Sequence, residues 1–245
     1  MKPPGKQRID QLLVERGLAG TRHKAHALIL AGSVIVNGQK AAKPGQTVAA
    51  DSAIELTAKL PYVSRGGLKL AAALHHFGIA PDGKVCLDIG SSTGGFTDCL
   101  LQHGALRVYA FDVGSGQLDW TLRNDPRVIV REQFNARNLK PEDVPERCAI
   151  AVCDVSFISV TIILPALPPL LDEQAQMVIL VKPQFEVGRQ DVGRGGIVRD
   201  PALHAAVCDK VRLAVESLGF RAQLLESPIL GAEGNREFLL YADRH

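Results

Sequence analysis

The stretch Leu87-Asp88-Ile89-Gly90-Ser91-Ser92-Thr93-Gly94-Gly95-Phe96-Thr97-Asp98 decides the fold. It leaves an apolar run, Val85–Ile89, that reads as a strand, and enters Phe96–His103, which reads as a helix. A glycine-rich turn between a strand and a helix is the phosphate- or nucleoside-binding end of a βα unit. Gly90, Gly94 and Gly95 allow a tight backbone and close approach of a ligand. Ser91, Ser92, Phe96 and Thr97 complete the turn, and Asp88 holds a carboxylate at the strand end. Asp112, 22 residues beyond Gly90, ends the next apolar run, where an acidic residue commonly takes a ribose hydroxyl pair. Loop and acid together fit either a dinucleotide or S-adenosylmethionine. The details favour the latter: Ser92 stands where the dinucleotide fingerprint has its second glycine, and Asp88 would face a cationic group better than a pyrophosphate.

Outward from this unit, apolar runs ending near Gly, Asp or Pro alternate with helical stretches. The strands expected are Val85–Ile89, Val108–Val113, Val128–Val130, Ala149–Cys153, Met177–Val181, Ala222–Leu225 and Glu237–Ala242. Helices are expected from about Gly67 and at Phe96–His103, Ile158–Leu171 and Pro201–Leu218, the last with Asp200 as N-cap. Such alternation predicts an α/β fold, a Rossmann-like doubly wound, mostly parallel sheet of seven strands. Ser227–Arg236 joins the final two strands without a helix, so the last strand should be antiparallel. Ligands bind outside the carboxyl ends of such strands, which directs attention to residues 88–97, 112–117, 133–135, 154–157 and 182–188. Val113, Gln117 and Asn135 join the cofactor candidates on that ground.

The chain of 245 residues, 46% hydrophobic and 22% charged, can bury a core, which excludes disorder, coiled coil and collagen-like repeats. Its net charge of +2 hides a division. Residues 1–60 carry 9 basic and 4 acidic side chains, and the rest carry 19 and 22. A basic head on a mildly acidic body suggests a nucleic-acid module attached to something else. Domains are therefore expected at 1–60 and 67–245, with a linker at 61–66. Met1–Asp10 is polar and no apolar stretch reaches the length of a membrane span, so neither export nor membrane insertion is expected. The 5 cysteines show no C-x-x-C pair and fit reduced thiols in the cytoplasm; the 7 histidines show no ligand spacing, so no metal is expected.

In the head, Ile9, Leu12 and Leu13 share a helical face that Gly17 ends. Thr21 is a plausible N-cap for a second helix, Arg22–Ala31, which stops at Gly32. Val34–Val36, the turn Asn37-Gly38 and Ile54–Leu56 read as a small β structure. Arg22 and His26 lie at i,i+4, with Lys24 near them, so one face is basic. Residues Arg8–Gly38 resemble the small RNA-binding domain named after ribosomal protein S-four, which grips structured RNA by phosphate contacts and shape. The resemblance implies RNA contact at Arg8, Arg22, Lys24 and His26.

Asp154 ends the fourth strand in V-C-D-V-S-F, and Lys182 ends the fifth in V-I-L-V-K-P-Q-F. Lys69 sits in an apolar helix, and Glu237 opens the last strand. A lone charge at any of these places is as well explained by a solvated strand end or a snorkelling lysine. Taken in order, Lys69, Asp154, Lys182 and Glu237 match the Lys–Asp–Lys–Glu set of FtsJ-type ribose 2′-O-methyltransferases. With S-R-G-G-L-K-L, D-I-G-S-S-T-G-G-F-T-D, D-V-G-S-G-Q-L-D-W, C-D-V-S-F-I-S and V-K-P-Q-F-E, nearly the whole chain resembles the TlyA family, cytidine 2′-O-methyltransferases of ribosomal RNA often labelled haemolysins. The resemblance implies S-adenosyl-L-methionine as cofactor, ribosomal RNA or ribosomal subunits as partner, and action as a monomer or weak dimer. One departure stands out: dual-specificity members carry Arg-x-Trp-Val before S-R-G, whereas Tyr62-Val63 occurs here without the arginine.

On that reading Lys182 either removes the ribose hydroxyl proton or stabilises the developing alkoxide as a cation. Asp154 would orient Lys182 and Lys69, and Glu237 would fix Lys69 or the ribose. Arg65, Arg189 and Arg194 are further candidates for RNA contact, the last two in a glycine-rich segment, 187–199, that could close over phosphates. Two other readings remain: a non-catalytic RNA-binding protein with a retained nucleoside pocket, and an indirect haemolysin.

Overall fold

The structure is a computed structural model that describes residues 5–30, 33–56, 61–231 and 234–244. Packing divides the chain into two compact units, 1–60 and 61–245.

The first unit contains β1 (Lys6–Arg8), α1 (Ile9–Glu15), α2 (Arg22–Leu30), β2 (Val34–Val36), β3 (Gln39–Lys40), β4 (Thr47–Ala49) and β5 (Ile54–Leu56). Ile9 and Leu13 from α1 meet Ala25 and Ile29 of α2 and Val34 and Val36 of β2 in a small core. Gly17 ends α1 at φ 69°, and the Thr21 hydroxyl caps α2 by accepting from the Lys24 N–H at 3.2 Å. Asn37 and Gly38 both take positive φ, which lets β2 return antiparallel as β3. β5 pairs with the other edge of β2. The expected end of the second helix at Ala31-Gly32 and the segment 57–60 lie outside the described residues.

The second unit runs α3 (Gly66–Phe77), β6 (Val85–Ile89), α4 (Gly95–Gln102), β7 (Arg107–Phe111), α5 (Trp120–Arg123), β8 (Val128–Arg131), β9 (Cys148–Cys153), β10 (Leu171–Val181), α6 (Pro183–Glu186), α7 (Pro201–Glu216), β11 (Arg221–Glu226) and β12 (Phe238–Asp243). Its seven-stranded sheet has the order β11-β12-β10-β9-β6-β7-β8. Strands β6 to β10 are mutually parallel, and β12 runs antiparallel between β10 and β11. Both faces are covered. Leu70 and Leu74 of α3 and Leu100 of α4 pack on one, while Val207, Val211 and Val215 of α7 pack on the other. Asp200 caps α7 by accepting from the Ala202 N–H at 2.8 Å, and Pro201 opens it.

One expected element is absent. Residues 158–171 form three short 3-10 turns, Val160–Ile162, Leu164–Ala166 and Pro168–Leu170, rather than one helix. Pro165, Pro168 and Pro169 remove the N–H groups an α-helix needs, while Leu164, Leu167 and Leu170 still bury themselves against the sheet. Residues 61–66 are not a free tether. Val63 N–H donates to Asp98 at 2.7 Å and Gln102 donates to the Pro61 carbonyl at 2.9 Å, pinning them to α4. Gly67 is glycine because a Cβ there would lie 2.3 Å from the Tyr62 ring.

Candidate active site

The parallel strands end at one edge of the sheet, and the functional candidates follow from that edge. Ile89 pairs with Cys153, so Gly90 and Asp154 emerge side by side. Gly90 takes φ 84°, and a Cβ on it would lie 2.4 Å from the Asp154 carbonyl oxygen, so no other residue fits. β12 is antiparallel and begins where β10 ends. Val181 pairs with Phe238, which brings Glu237 to the same edge as Lys182 although it precedes its strand. Lys69 arrives from α3, which packs beside β12.

Two adjoining cavities share Gly90, Ser92 and Asp154. The larger, about 460 Å³, is lined by Asp112, Val113, Gln117, Asn135, Phe157 and Ile158, among others. The smaller, about 240 Å³, is lined by Ser64, Arg65, Gly66, Lys69, Ser91, Thr93, Gly95 and Phe96. Arg65 therefore stands on the wall of the smaller cavity. Of the expected cofactor residues, Asp88 and Thr97 lie beneath the loop and Gly94 within it, and none of the three lines either cavity. Asp88 is completely buried. Its Oδ2 accepts from the Thr97 hydroxyl at 2.6 Å, and its Oδ1 has no partner. Burial pushes this carboxyl up to about 7; the Thr97 hydrogen bond works against burial, and the charges of Asp154 and Asp112 work with it. Asp112 accepts from the backbone N–H groups of Ser92 at 2.8 Å and Gly114 at 2.6 Å, tying the Gly-rich loop to the end of β7.

The four charged candidates form two ion pairs. Lys182 Nζ lies 2.5 Å from Asp154 Oδ1, while its directed hydrogen bond goes to the Ser156 hydroxyl at 2.8 Å. Lys69 pairs with Glu237, and both are buried, at 8% and 3% exposure. Of the two partners expected for Lys69, Asp154 and Glu237, the structure pairs it with Glu237. Ser156 and Phe157 fall within the expected 154–157 window, but no role for either is legible in the sequence, because each role depends on the path of a loop. Phe157 holds φ 65°, is 90% exposed, and its ring centroid lies 5.1 Å from that of Phe185.

In the first unit, Arg8, Arg22 and His26 converge on one residue the sequence reading passed over. The Asp10 carboxylate is fully buried and accepts from Arg8 at 2.9 and 3.0 Å and from Arg22 at 3.0 Å, with His26 Nε2 at 2.9 Å. The Arg8 guanidinium foremost, with His26 and Arg22, holds this carboxyl well below the usual range. Asp10 could have been suspected from its place within the apolar face Ile9–Leu13. Lys24 is exposed and takes no part in this cluster.

Arg189 opens a short 3-10 turn, and Arg194 is exposed. The far end of their segment is fastened: Asn235 accepts from Val198 N–H at 3.1 Å and donates to the Gly196 carbonyl at 3.0 Å, and His204 Nε2 lies 2.9 Å from the Val198 carbonyl. All five cysteines are free and buried, and burial pushes Cys86, Cys99 and Cys148 up to about 12. Among the described residues no group of three or more His, Cys, Asp or Glu is placed to hold a metal, and no helix is long and apolar enough to cross a membrane.

A doubly wound sheet with a glycine-cradled, acid-bordered cavity and paired Lys–Asp and Lys–Glu groups at its carboxyl edge defines a nucleoside-cofactor enzyme of the methyltransferase class. Residues 62–244 match the FtsJ-like methyltransferase family, residues 7–54 match the S4 domain, and the chain belongs to the TlyA family, which joins the two. It is 50% identical over 244 residues to "Putative rRNA methyltransferase YqxC" of Bacillus subtilis, covering 96% of this chain and 85% of that one. It is 47% identical over 237 residues to "16S/23S rRNA (cytidine-2'-O)-methyltransferase TlyA" of Mycobacterium tuberculosis, covering 96% and 88%. A solved structure, "Putative hemolysin from Streptococcus thermophilus", superimposes with a TM-score of 0.75 at 45% identity and covers 100% of this chain and 90% of that one.

Proposed function

We propose that the chain methylates the 2′-oxygen of cytidine ribose in ribosomal RNA, using S-adenosylmethionine. The observation that carries this reading is the arrival of Lys69, Asp154, Lys182 and Glu237 at one sheet edge as two ion pairs beside a nucleoside-sized cavity. S-adenosylmethionine supplies an electrophilic methyl group on a sulfonium sulfur. The residues present fit it. Gly90 gives the wall shared by both cavities a bare backbone, Asp112 and Asn135 offer polar groups to a ribose, and Val113 and Ile158 offer apolar contact to a base. Ser64, Arg65 and Ser91 in the smaller cavity suit an amino-acid end with its carboxylate. The carboxylate of Asp154 on the shared wall suits a cation.

A ribose hydroxyl is a poor nucleophile, so the site must stabilise the negative charge that grows on its oxygen. Lys182, gripped by Asp154 and donating to Ser156, serves as a cation aimed at that oxygen. The Lys69–Glu237 pair sets a second charge beside the first, and Glu237 fixes the position of Lys69. Most of the acceleration comes from holding donor and acceptor in line. In the first unit, the Asp10-centred Arg8, Arg22 and His26 hold RNA phosphates, with Lys24 adding an exposed charge; Arg189 and Arg194 contact RNA in the second unit. A ribosomal substrate places this work in the cytoplasm. Transfer of labelled methyl to purified ribosomal subunits, followed by mapping of the modified nucleotide, tests the reading. Label on a cytidine 2′-oxygen is expected, and no incorporation into either subunit overturns it.

A further inference from the structure

Lys182 and its two partners sit on separate irregular segments, which raises the question of what sets their spacing. Asp154 and Ser156 lie on the segment after β9, and Lys182 lies at the start of the turn after β10. Neither segment belongs to the sheet, so strand pairing alone does not hold one against the other. Besides Lys182 itself and the Phe157–Phe185 ring contact, one buried carboxylate joins them. Glu186, a single turn beyond Lys182 in α6, has a carboxylate that is 2% exposed, and it accepts from the Ser159 hydroxyl and from the Val160 N–H, each at 2.6 Å. Lys210 of α7 balances its charge at 2.9 Å and also donates to the Glu186 main-chain carbonyl at 3.0 Å.

From this geometry we infer that Glu186 and Lys210 are positioning residues, which lock the Asp154–Val160 segment to the Lys182–Glu186 turn and so fix Lys182 Nζ against Asp154 and Ser156. A buried carboxylate is retained where each of its bonds is made, and this one spends two of them on the segment that presents Ser156. The same segment keeps Phe157 at φ 65°, a conformation that a non-glycine residue holds only when its surroundings impose it. An amide in its place keeps one acceptor where the carboxylate offers two, and turns a donor toward either Lys210 or the Val160 N–H, which releases the segment. Glu186 lines neither cavity, so its influence on the reaction passes through the residues it positions, Lys182 and the Ser156–Ile158 stretch of the larger cavity's wall.

The inference rests on the methyltransferase reading for its kinetic consequence but not for its geometric one, and two measurements separate them. The first needs no substrate: full-length wild type, Glu186→Gln and Lys210→Met are labelled with trace acetic anhydride, and the reactivity of each lysine is read by mass spectrometry. Lys182 should become at least threefold more reactive in both variants, while Lys69, held by Glu237, stays unchanged. The second is methyl transfer to ribosomal subunits. Here kcat should fall tenfold or more in Glu186→Gln, with KM for S-adenosylmethionine rising by less than kcat falls because Ile158 on the cavity wall shifts with the segment, and Lys210→Met should show the same pattern more weakly. A purely structural role would lower the yield of folded protein and raise all lysine reactivities together. Unchanged Lys182 reactivity in both variants overturns the inference. Raised Lys182 reactivity in the two variants, together with a wild type that transfers no methyl, upholds it and overturns the reaction assigned above.

Discussion

Replacing Asp88 by Asn should flatten the dependence of folding stability on pH between 5 and 8. In the folded chain Asp88 is sealed beneath the Gly-rich loop, with one oxygen bonded to Thr97 and the other unpartnered. Burial raises the carboxyl from 3.8 to about 7. The native state therefore binds this proton more tightly than the unfolded chain, and unfolding releases it. The contribution is most favourable below pH 3.8, is lost progressively as pH rises toward 7, and is constant above. A displacement from 3.8 to about 7 corresponds to roughly 4 kcal/mol at 1.36 kcal/mol per tenfold change in proton affinity. Of that, roughly 2–3 kcal/mol falls between pH 5 and 7. Asp10, Asp125, Glu132 and Glu146 are shifted the opposite way, so their titration lies at lower pH, outside the window. Urea unfolding followed by circular dichroism at pH 5, 6, 7 and 8 measures the effect. Wild type should lose stability relative to Asp88→Asn across that range, and the gap should stop changing above about pH 7.5. Parallel curves for the two proteins would refute the reasoning, because they would mean that Asp88 carries no displaced proton.

Three further outcomes follow. Gly90→Ala places a Cβ 2.4 Å from the Asp154 carbonyl at φ 84°; the backbone alone costs about 1–3 kcal/mol, and both the urea midpoint and binding of S-adenosylhomocysteine by calorimetry should fall. Lys182→Ala should reduce methyl transfer by about 100-fold or more while S-adenosylhomocysteine affinity stays within threefold, and wild-type turnover would remove Lys182 from its assigned role. Asp10→Asn leaves Arg8, Arg22 and His26 without their common anchor, so stability should drop by about 1–3 kcal/mol. Filter binding to ribosomal RNA fragments should weaken with it. The carboxyl of Asp10 is held low, so its stabilisation is present above pH 3.8 and is lost as the solution is acidified below that value, where the variant should converge on wild type.

The strand cores and the glycine-rich loop were legible in the chain itself, because burial on both sheet faces demands unbroken apolar runs and a tight turn demands glycine. The run at 158–171 was misread as one helix, since its apolar spacing suits burial whether the backbone is α-helical or broken by three prolines. Lys69, Asp154, Lys182 and Glu237 could be picked out as charges flanking apolar runs, and family resemblance supplied their order. Whether Lys69 would pair with Asp154 or with Glu237 could not be read. It depends on β12 entering the sheet antiparallel beside β10, which sets Glu237 next to the strand end that carries Lys182 and hands Lys69 to Glu237 rather than to Asp154. The roles of Ser156 and Glu186 stayed hidden for a related reason. A polar residue in a loop or helix has no periodicity to betray it, and its partners lie up to 26 residues away in the chain. Local sequence determined which residues enter the sheet and where the backbone must bend. Which charge neutralises which was decided only in three dimensions, because burying a charge is affordable only beside the opposite one.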